Sequence, residues 1–103
     1  LMRSKGAHGF DYFEVPGGDK LLVLPNYYGC GSGPNLQQDC NSTQVLKWCN
    51  AHSEFRELQS LNTQGPGQTD HFKRGEDVYL VVGENFANQV TIHKWNGKTG
   101  EFE

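Results

Sequence analysis

The chain repeats itself, and this limits its fold more than any single motif does. Leu21-Leu22-Val23-Leu24-Pro25-Asn26-Tyr27-Tyr28 lies over Tyr79-Leu80-Val81-Val82-Gly83-Glu84-Asn85-Phe86 at an offset of 58 residues. Upstream, Asp11-Tyr12-Phe13 lies over Asp70-His71-Phe72 at an offset of 59. Downstream the offset falls to 47, where Val45-Leu46-Lys47-Trp48 covers Ile92-His93-Lys94-Trp95 and Glu54-Phe55 covers Glu101-Phe102. The drop from 58 to 47 places an 11-residue insertion in the first copy between Tyr28 and Val45. That segment holds Cys30, Cys40 and Asn41.

Each copy reads as short β-type runs divided by turn chemistry. Phe10–Val15 meets Pro16-Gly17-Gly18-Asp19, and Lys20–Leu24 runs apolar into Pro25. Gln44–Trp48, Asp77–Val82 and Val90–Trp95 follow, the last ending at the turn signal Asn96-Gly97. Helical periodicity is nearly absent. The best helical window, Ser53–Ser60, spaces Phe55 and Leu58 by three, yet its alternation is no cleaner as a strand, so pattern alone leaves it ambiguous. The fold expected is all-β, in strands of about five to seven residues.

Four strand-like pieces in a unit of about 45 residues match the blades of a β-propeller. A blade has two apolar faces and needs a neighbour on each, so two repeats alone leave surface uncovered. The expected organisation is an N-terminal connector over 1–9, a complete repeat over 10–63 with the Cys-containing insertion at 29–43, and a second repeat over 64–103. The second repeat is expected to lack its fourth strand.

The 103 residues carry 9 Lys+Arg against 12 Asp+Glu, a net charge of −3, with no basic cluster, which argues against nucleic acid as a partner. The longest apolar run, Leu21–Pro25, is far short of a membrane span, so no membrane insertion is expected. Leu1–Phe10 contains no apolar signal-peptide core, the look of a mature or excised piece. Six Phe, four Tyr and two Trp suffice for a core. Three cysteines leave one thiol over, free or joined to another chain, and Asn41-Ser42-Thr43 is a glycosylation sequon beside Cys40. Together they fit a secreted, oxidising setting.

The run Phe55-Arg56-Glu57-Leu58-Gln59-Ser60-Leu61-Asn62-Thr63, then Gly65, Thr69-Asp70-His71-Phe72, Tyr79-Leu80-Val81-Val82 and Thr91-Ile92-His93-Lys94-Trp95 resembles the epilepsy-associated (epitempin) repeat. The resemblance covers Phe10–Glu103. It implies two consecutive blades of a propeller, one complete and one nearly so, in a secreted or cell-surface protein that binds protein partners and is not an enzyme. Such propellers have seven repeats where this chain shows two, and the insertion lies outside the repeat pattern.

Several side chains carry both a functional and an ordinary reading. Asp11 and Asp70 share one repeat position; converging on a channel they would hold Ca²⁺, as the resemblance implies, or each would cap its own turn. Trp48 and Trp95 end equivalent strands, as partner platforms or as packing between blades. Tyr27 and Tyr28 join them as contacts for a partner or, in a lectin-like alternative, for a glycan. Cys49 and His52 have a C-x₂-H spacing that hints at zinc, but no second ligand pair follows it. A disulfide from Cys40 to Cys30 or to Cys49 is the other reading. Gly29–Gly33 lacks the Lys-Ser/Thr of a phosphate loop, the nucleophile-elbow motif is absent, and His71 and His93 show no spaced acidic partner. The expected function is thus extracellular protein recognition or adhesion, non-catalytic, with a cell-surface protein or further propeller repeats as partner. The alternatives are a building block that completes its open blade with another chain, and the glycan binder.

Overall fold

The computed structural model describes residues 9–26 and 42–103. These form two four-stranded antiparallel sheets, and no helix occurs among the described residues. The first sheet has the order β1 (Asp11–Glu14), β2 (Lys20–Pro25), β3 (Ser42–Cys49), β4 (Glu54–Asn62). The second runs β5 (Pro66–Arg74), β6 (Asp77–Glu84), β7 (Gln89–Asn96), β8 (Glu101–Phe102). Within each sheet every strand pairs with its neighbour in sequence, so each sheet is a meander.

The two meanders share one register. Asp11 faces Val23 as Asp70 faces Val81, Val23 faces Val45 as Val81 faces Ile92, and Trp48 faces Phe55 as Trp95 faces Phe102. The offsets read from the sequence are therefore structural equivalences. Side chains follow suit: the Trp48–Phe55 and Trp95–Phe102 rings both meet edge to face at 5.1 Å and 69°. Lys47 reaches Asp19 at 3.8 Å, and Lys94 reaches Asp77 at 3.7 Å. Both ion pairs are half-exposed and worth little energetically; their value is as markers of the repeat.

Two expectations change. The ambiguous segment is a strand, β4, and Leu58 is an extra residue in it: Val45 faces Gln59 while Leu46 faces Glu57. That bulge resets the alternation midway, so neither a period of 2 nor 3.6 fits the stretch. The second repeat does have a fourth strand, the two residues of β8, extended by reciprocal backbone hydrogen bonds between Lys94 and Glu103 (2.9 and 3.1 Å).

The core lies between the sheets. Phe13, Leu21, Val23, Val45 and Leu61 of the first sheet pack with Val78, Leu80, Val82, Trp95 and Phe102 of the second. Leu21, Val23, Val45, Leu80 and Val82 are wholly buried. At about 25 cal/mol per Å² of apolar area, this layer is the main source of the fold's stability.

The link between sheets is fixed by backbone geometry. Gly65 has φ +60°, and a Cβ there would fall 2.5 Å from the Phe86 ring. The Asn85 amide donates to the Gly65 carbonyl (2.9 Å), and the Phe86 amide donates to that of Gln64 (3.1 Å). Phe86 thus lies over the link and ties loop 85–88 to it.

Candidate interaction faces

Period-2 alternation gives each sheet two faces, and pairing register says which residues share one. The first sheet packs on the second with the face bearing Asp11, Phe13, Leu21, Val23 and Val45. Its other face carries Tyr12, Lys20, Leu22, Trp48 and Phe55. The second sheet packs with the face bearing His71, Leu80, Val82, Trp95 and Phe102. Its other face carries Asp70, Phe72, Tyr79, Val81 and Ile92.

Repeat equivalence crosses these faces. The open face of the second sheet is the counterpart of the packed face of the first: Phe72 matches Phe13, Tyr79 matches Leu21, and Ile92 matches Val45. The open face of the first sheet is likewise the counterpart of the packed face of the second, with Tyr12 for His71, Leu22 for Leu80 and Phe55 for Phe102. Burial is what separates the members of a pair. Phe13 is 5 % exposed and Phe72 43 %; Val45 is 0 % exposed and Ile92 59 %. The molecule therefore contains one complete sheet-to-sheet interface and two halves of a second, of which the first sheet's is already covered in part: Leu24, Gln44 and Leu46 on that face are only 7 %, 6 % and 5 % exposed.

The complete interface shows what the halves are built for. The Phe13 ring stacks on His71 at 4.2 Å and 19°, and meets Phe102 edge to face at 6.2 Å. His71 Nδ1 lies 2.8 Å from Asp11 Oδ2, and Gln59 brackets Phe102 by donating to its carbonyl (2.7 Å) and accepting from its amide (2.9 Å). Aromatic stacking gives this contact geometry and the hydrogen bonds give it register.

On the open side of the first sheet, Phe10, Tyr12, Lys20, Leu22, Trp48 and Phe55 line a hollow of about 470 Å³. Tyr12 and Phe55 meet edge to face at 6.4 Å, and Trp48 Nε1 donates to Asn50 Oδ1 at 2.7 Å. On the opposite side Phe72 stacks on Tyr79 at 4.9 Å and 14°. Both surfaces are aromatic, and both lie at the ends of the two-sheet stack.

The structure brings Asp11 and Asp70 together and adds His71, the three ligand atoms lying within 4.8 Å of one another. Asp70 Oδ1 accepts the His71 amide at 2.8 Å, and the ring nitrogen contacts Asp11 directly. Ca²⁺ takes about six to eight oxygen ligands. Among the described residues the group supplies two carboxylates and one imidazole, and its hydrogen bonds run from the His71 ring to Asp11 and from the His71 amide to Asp70, a tie between the two sheets. His71 escaped the sequence reading because its acidic partner is 60 residues away.

Cys49 is a free thiol, its Sγ 3.4 Å from His52 Nδ1. Hydrogen bonding to His52 holds the thiol below its ordinary pKa, and the same contact raises His52. These residues are the repeat counterparts of Asn96 and Thr99, whose turn is closed by Asn96 Oδ1 accepting the Lys98 and Thr99 amides at 2.9 and 3.3 Å. The C-x₂-H pair is therefore the tip of the β3–β4 turn. Trp95 is 8 % exposed and packed on Phe102, so it belongs to the core, whereas Trp48 borders the open hollow. Tyr27, Tyr28, Cys30, Cys40 and Asn41 lie outside the described residues.

A buried polar position also repeats. Asn26 donates to Ser42 Oγ and Gln44 Oε1, both at 3.1 Å. Its counterpart Glu84, 3 % exposed, accepts from the Gln64 amide at 2.7 Å and from Gln89 at 3.4 Å. Burial alone would raise the Glu84 pKa. The Gln64 amide, Thr91, Gln89 and the nearby His93 outweigh it, so the carboxyl sits below its usual value.

No protein-family model and no curated protein matches this chain.

Proposed function

We propose that the two sheets are consecutive blades of a β-propeller of the epilepsy-associated-repeat type, acting outside the cell as a non-catalytic protein-recognition module. The observation that carries this reading is the crossed equivalence of the faces. A sheet whose open side copies its neighbour's packed side is made to be followed by another such sheet, and propellers are stacks of this kind closed on themselves. The meander within each unit, the shared register and the short link through Gly65 all suit a blade-to-blade passage.

Recognition is assigned to one end of the stack. The end of β2 and the start of β3, between which the insertion falls in the sequence, lie at the same end as loop 85–88 and the link from β4 to β5. Loops held on a rigid sheet scaffold are where binding residues concentrate. Phe86 stands at this end with 56 % of its surface exposed.

The compartment on which this reading depends is tested by mass mapping of the native protein. A glycan on Asn41 with Cys30 and Cys40 oxidised is the expected result. An unmodified Asn41 together with three reduced thiols overturns it. The recognition role predicts binding of the purified protein to intact cells that is abolished by trypsin treatment of those cells, and by replacing residues 27–41 with a short turn. Absence of any such binding contradicts it.

A further inference from the structure

We infer that Glu84 is the positioning residue of the recognition end: its ionised carboxylate holds loop 85–88 against the link between the sheets, and protonating it releases that loop. The inference rests on the assignment of recognition to that end. It adds the residue that sets the loop's shape and the condition that undoes it.

Backbone and side chains join the loop to the link. Gln64 is gripped from both sides, its amide donating to Glu84 Oε1 at 2.7 Å and its carbonyl accepting the Phe86 amide at 3.1 Å. Beside it, the Gly65 carbonyl accepts the Asn85 amide at 2.9 Å. Side chains lie over the glycines: a Cβ at Gly65 would strike the Phe86 ring, and one at Gly67 would fall 2.5 Å from Asn85 Nδ2. The link is well seated, with Thr63, Gly65, Pro66 and Gly67 buried, whereas all four residues of loop 85–88 are exposed. The loop therefore takes its position from the link. Glu84 fixes the residue whose carbonyl receives the Phe86 amide, and it is itself the residue from which the loop departs. A hydrogen bond to an ionised carboxylate is also the strong one of the set.

Charge isolates Glu84. Segments 22–26, 42–46, 58–69 and 78–92, which form this end of strands β2 to β7, contain no other Asp, Glu, Lys, Arg or His. The titratable groups that border them are Asp11 on β1, Asp70 and His71 on β5, and His93 on β7. His71 is engaged by Asp11 at 2.8 Å. His93 is the group that acts on Glu84, by charge and through Thr91, which bonds Glu84 and lies 3.2 Å from His93 Nε2. In the first repeat the same position is Asn26, which bonds Ser42 and Gln44 and has no proton to gain. The exchange of Asn for Glu thus makes one repeat acid-sensitive at a place where the other is not. Glu84 is held below 4.5, so its contact is intact above about that pH and is lost as pH falls through the lower folded value.

Residue-resolved amide hydrogen exchange tests this, with protection corrected for the intrinsic rate. In wild type, protection at Gln64 and Phe86 is expected to be constant from about pH 7 to about 5. Below that it is expected to fall about tenfold or more, the size of a lost hydrogen bond to a charged group. The amides of Leu80–Val82 within β6 are expected to hold their protection over the same range. Glu84→Gln keeps the shape and an acceptor oxygen without the charge. It is expected to show the lowered protection already at neutral pH, to have no acid limb, and to bind intact cells more weakly than wild type. His93→Gln is expected to keep the acid limb.

Protection at Gln64 and Phe86 that ignores acid, that survives Glu84→Gln unchanged, or whose acid limb vanishes in His93→Gln overturns the inference. So does an equal loss at Leu80–Val82, which is unfolding of the sheet and not release of a loop. Equal cell binding by Glu84→Gln and wild type removes the part of Glu84 in recognition. A wild-type chain that shows the acid release yet binds no cells overturns the recognition reading alone and leaves Glu84 as the residue that sets this loop.

Discussion

The two sheets contain the same strands in the same register, yet their equivalent residues live in opposite environments. Phe13 and Phe72 occupy one repeat position; the first is stacked on His71 inside the molecule, and the second lies on an exposed face beside Tyr79. What distinguishes them is only which neighbour follows. The first sheet has the second sheet on that side, and among the described residues nothing covers the same side of the second. Burial in a repeat architecture thus reports position in the stack more than residue identity.

The comparison is broken most strongly at its central pair. Phe13→Ala is expected to lower unfolding stability by about 3–5 kcal/mol, since a ring is lost from between two sheets. Phe72→Ala should cost the isolated chain markedly less, about 1 kcal/mol, because that ring is 43 % exposed and stacks only on Tyr79 of its own sheet. Chemical denaturation of both variants checks this. Equal losses would mean that the sheets do not pack as described.

Next is the link that orients one sheet against the other. Gly65→Ala forces a side chain into the left-handed region and onto the Phe86 ring. The expected loss is at least about 1–2 kcal/mol from the backbone alone, read as a lowered Tm. Gly75→Ala, also at positive φ but in open space, serves as the control, and its smaller loss isolates the Phe86 contact.

Glu84 and Asn26 sharpen the comparison through pH. Glu84 is held below its reference value of 4.5, so its stabilising contribution is complete above about that pH and is lost as pH falls through the lower folded value. His93, depressed from 6.5 chiefly by burial, acts with the same sign, its contribution beginning to fade below that pH. Stability measured from neutral to acid should therefore decline in wild type, and Glu84→Gln should flatten the acid limb. The smallest effect belongs to the hairpin tips. Ser53 has φ 50° where its counterpart Gly100 has φ 74°. Ser53→Gly relieves that conformation and should raise stability by roughly 0.5–1 kcal/mol in thermal unfolding.

Much of this was legible in the residues. The offsets of 58, 59 and 47 located both units and the insertion, because a repeated register must be written in a repeated pattern of apolar residues. The orientation of the faces was not. Asp11-Tyr12-Phe13 and Asp70-His71-Phe72 look alike, and nothing local says which phenylalanine is covered. The Leu58 bulge made the local pattern of β4 ambiguous, so that Phe55–Thr63 is read as the fourth piece of its unit from the repeat alone, and β8 hid behind its length of two residues. At Cys49 and His52 the spacing of three suggested ligands, whereas the same spacing in Asn96 and Thr99 closes a turn. His71 needed the fold itself, since only sheet packing carries it to Asp11.

The central claim is that equivalent positions are protected on one side of the stack and open on the other. Hydroxyl-radical footprinting of the dilute chain tests it directly, with oxidation quantified at Phe13 and Val45 against Phe72 and Ile92. Strong labelling of Phe72 and Ile92 with protection of Phe13 and Val45 is the predicted outcome. Similar labelling within each pair would contradict it, and the two-sheet core would have to be abandoned.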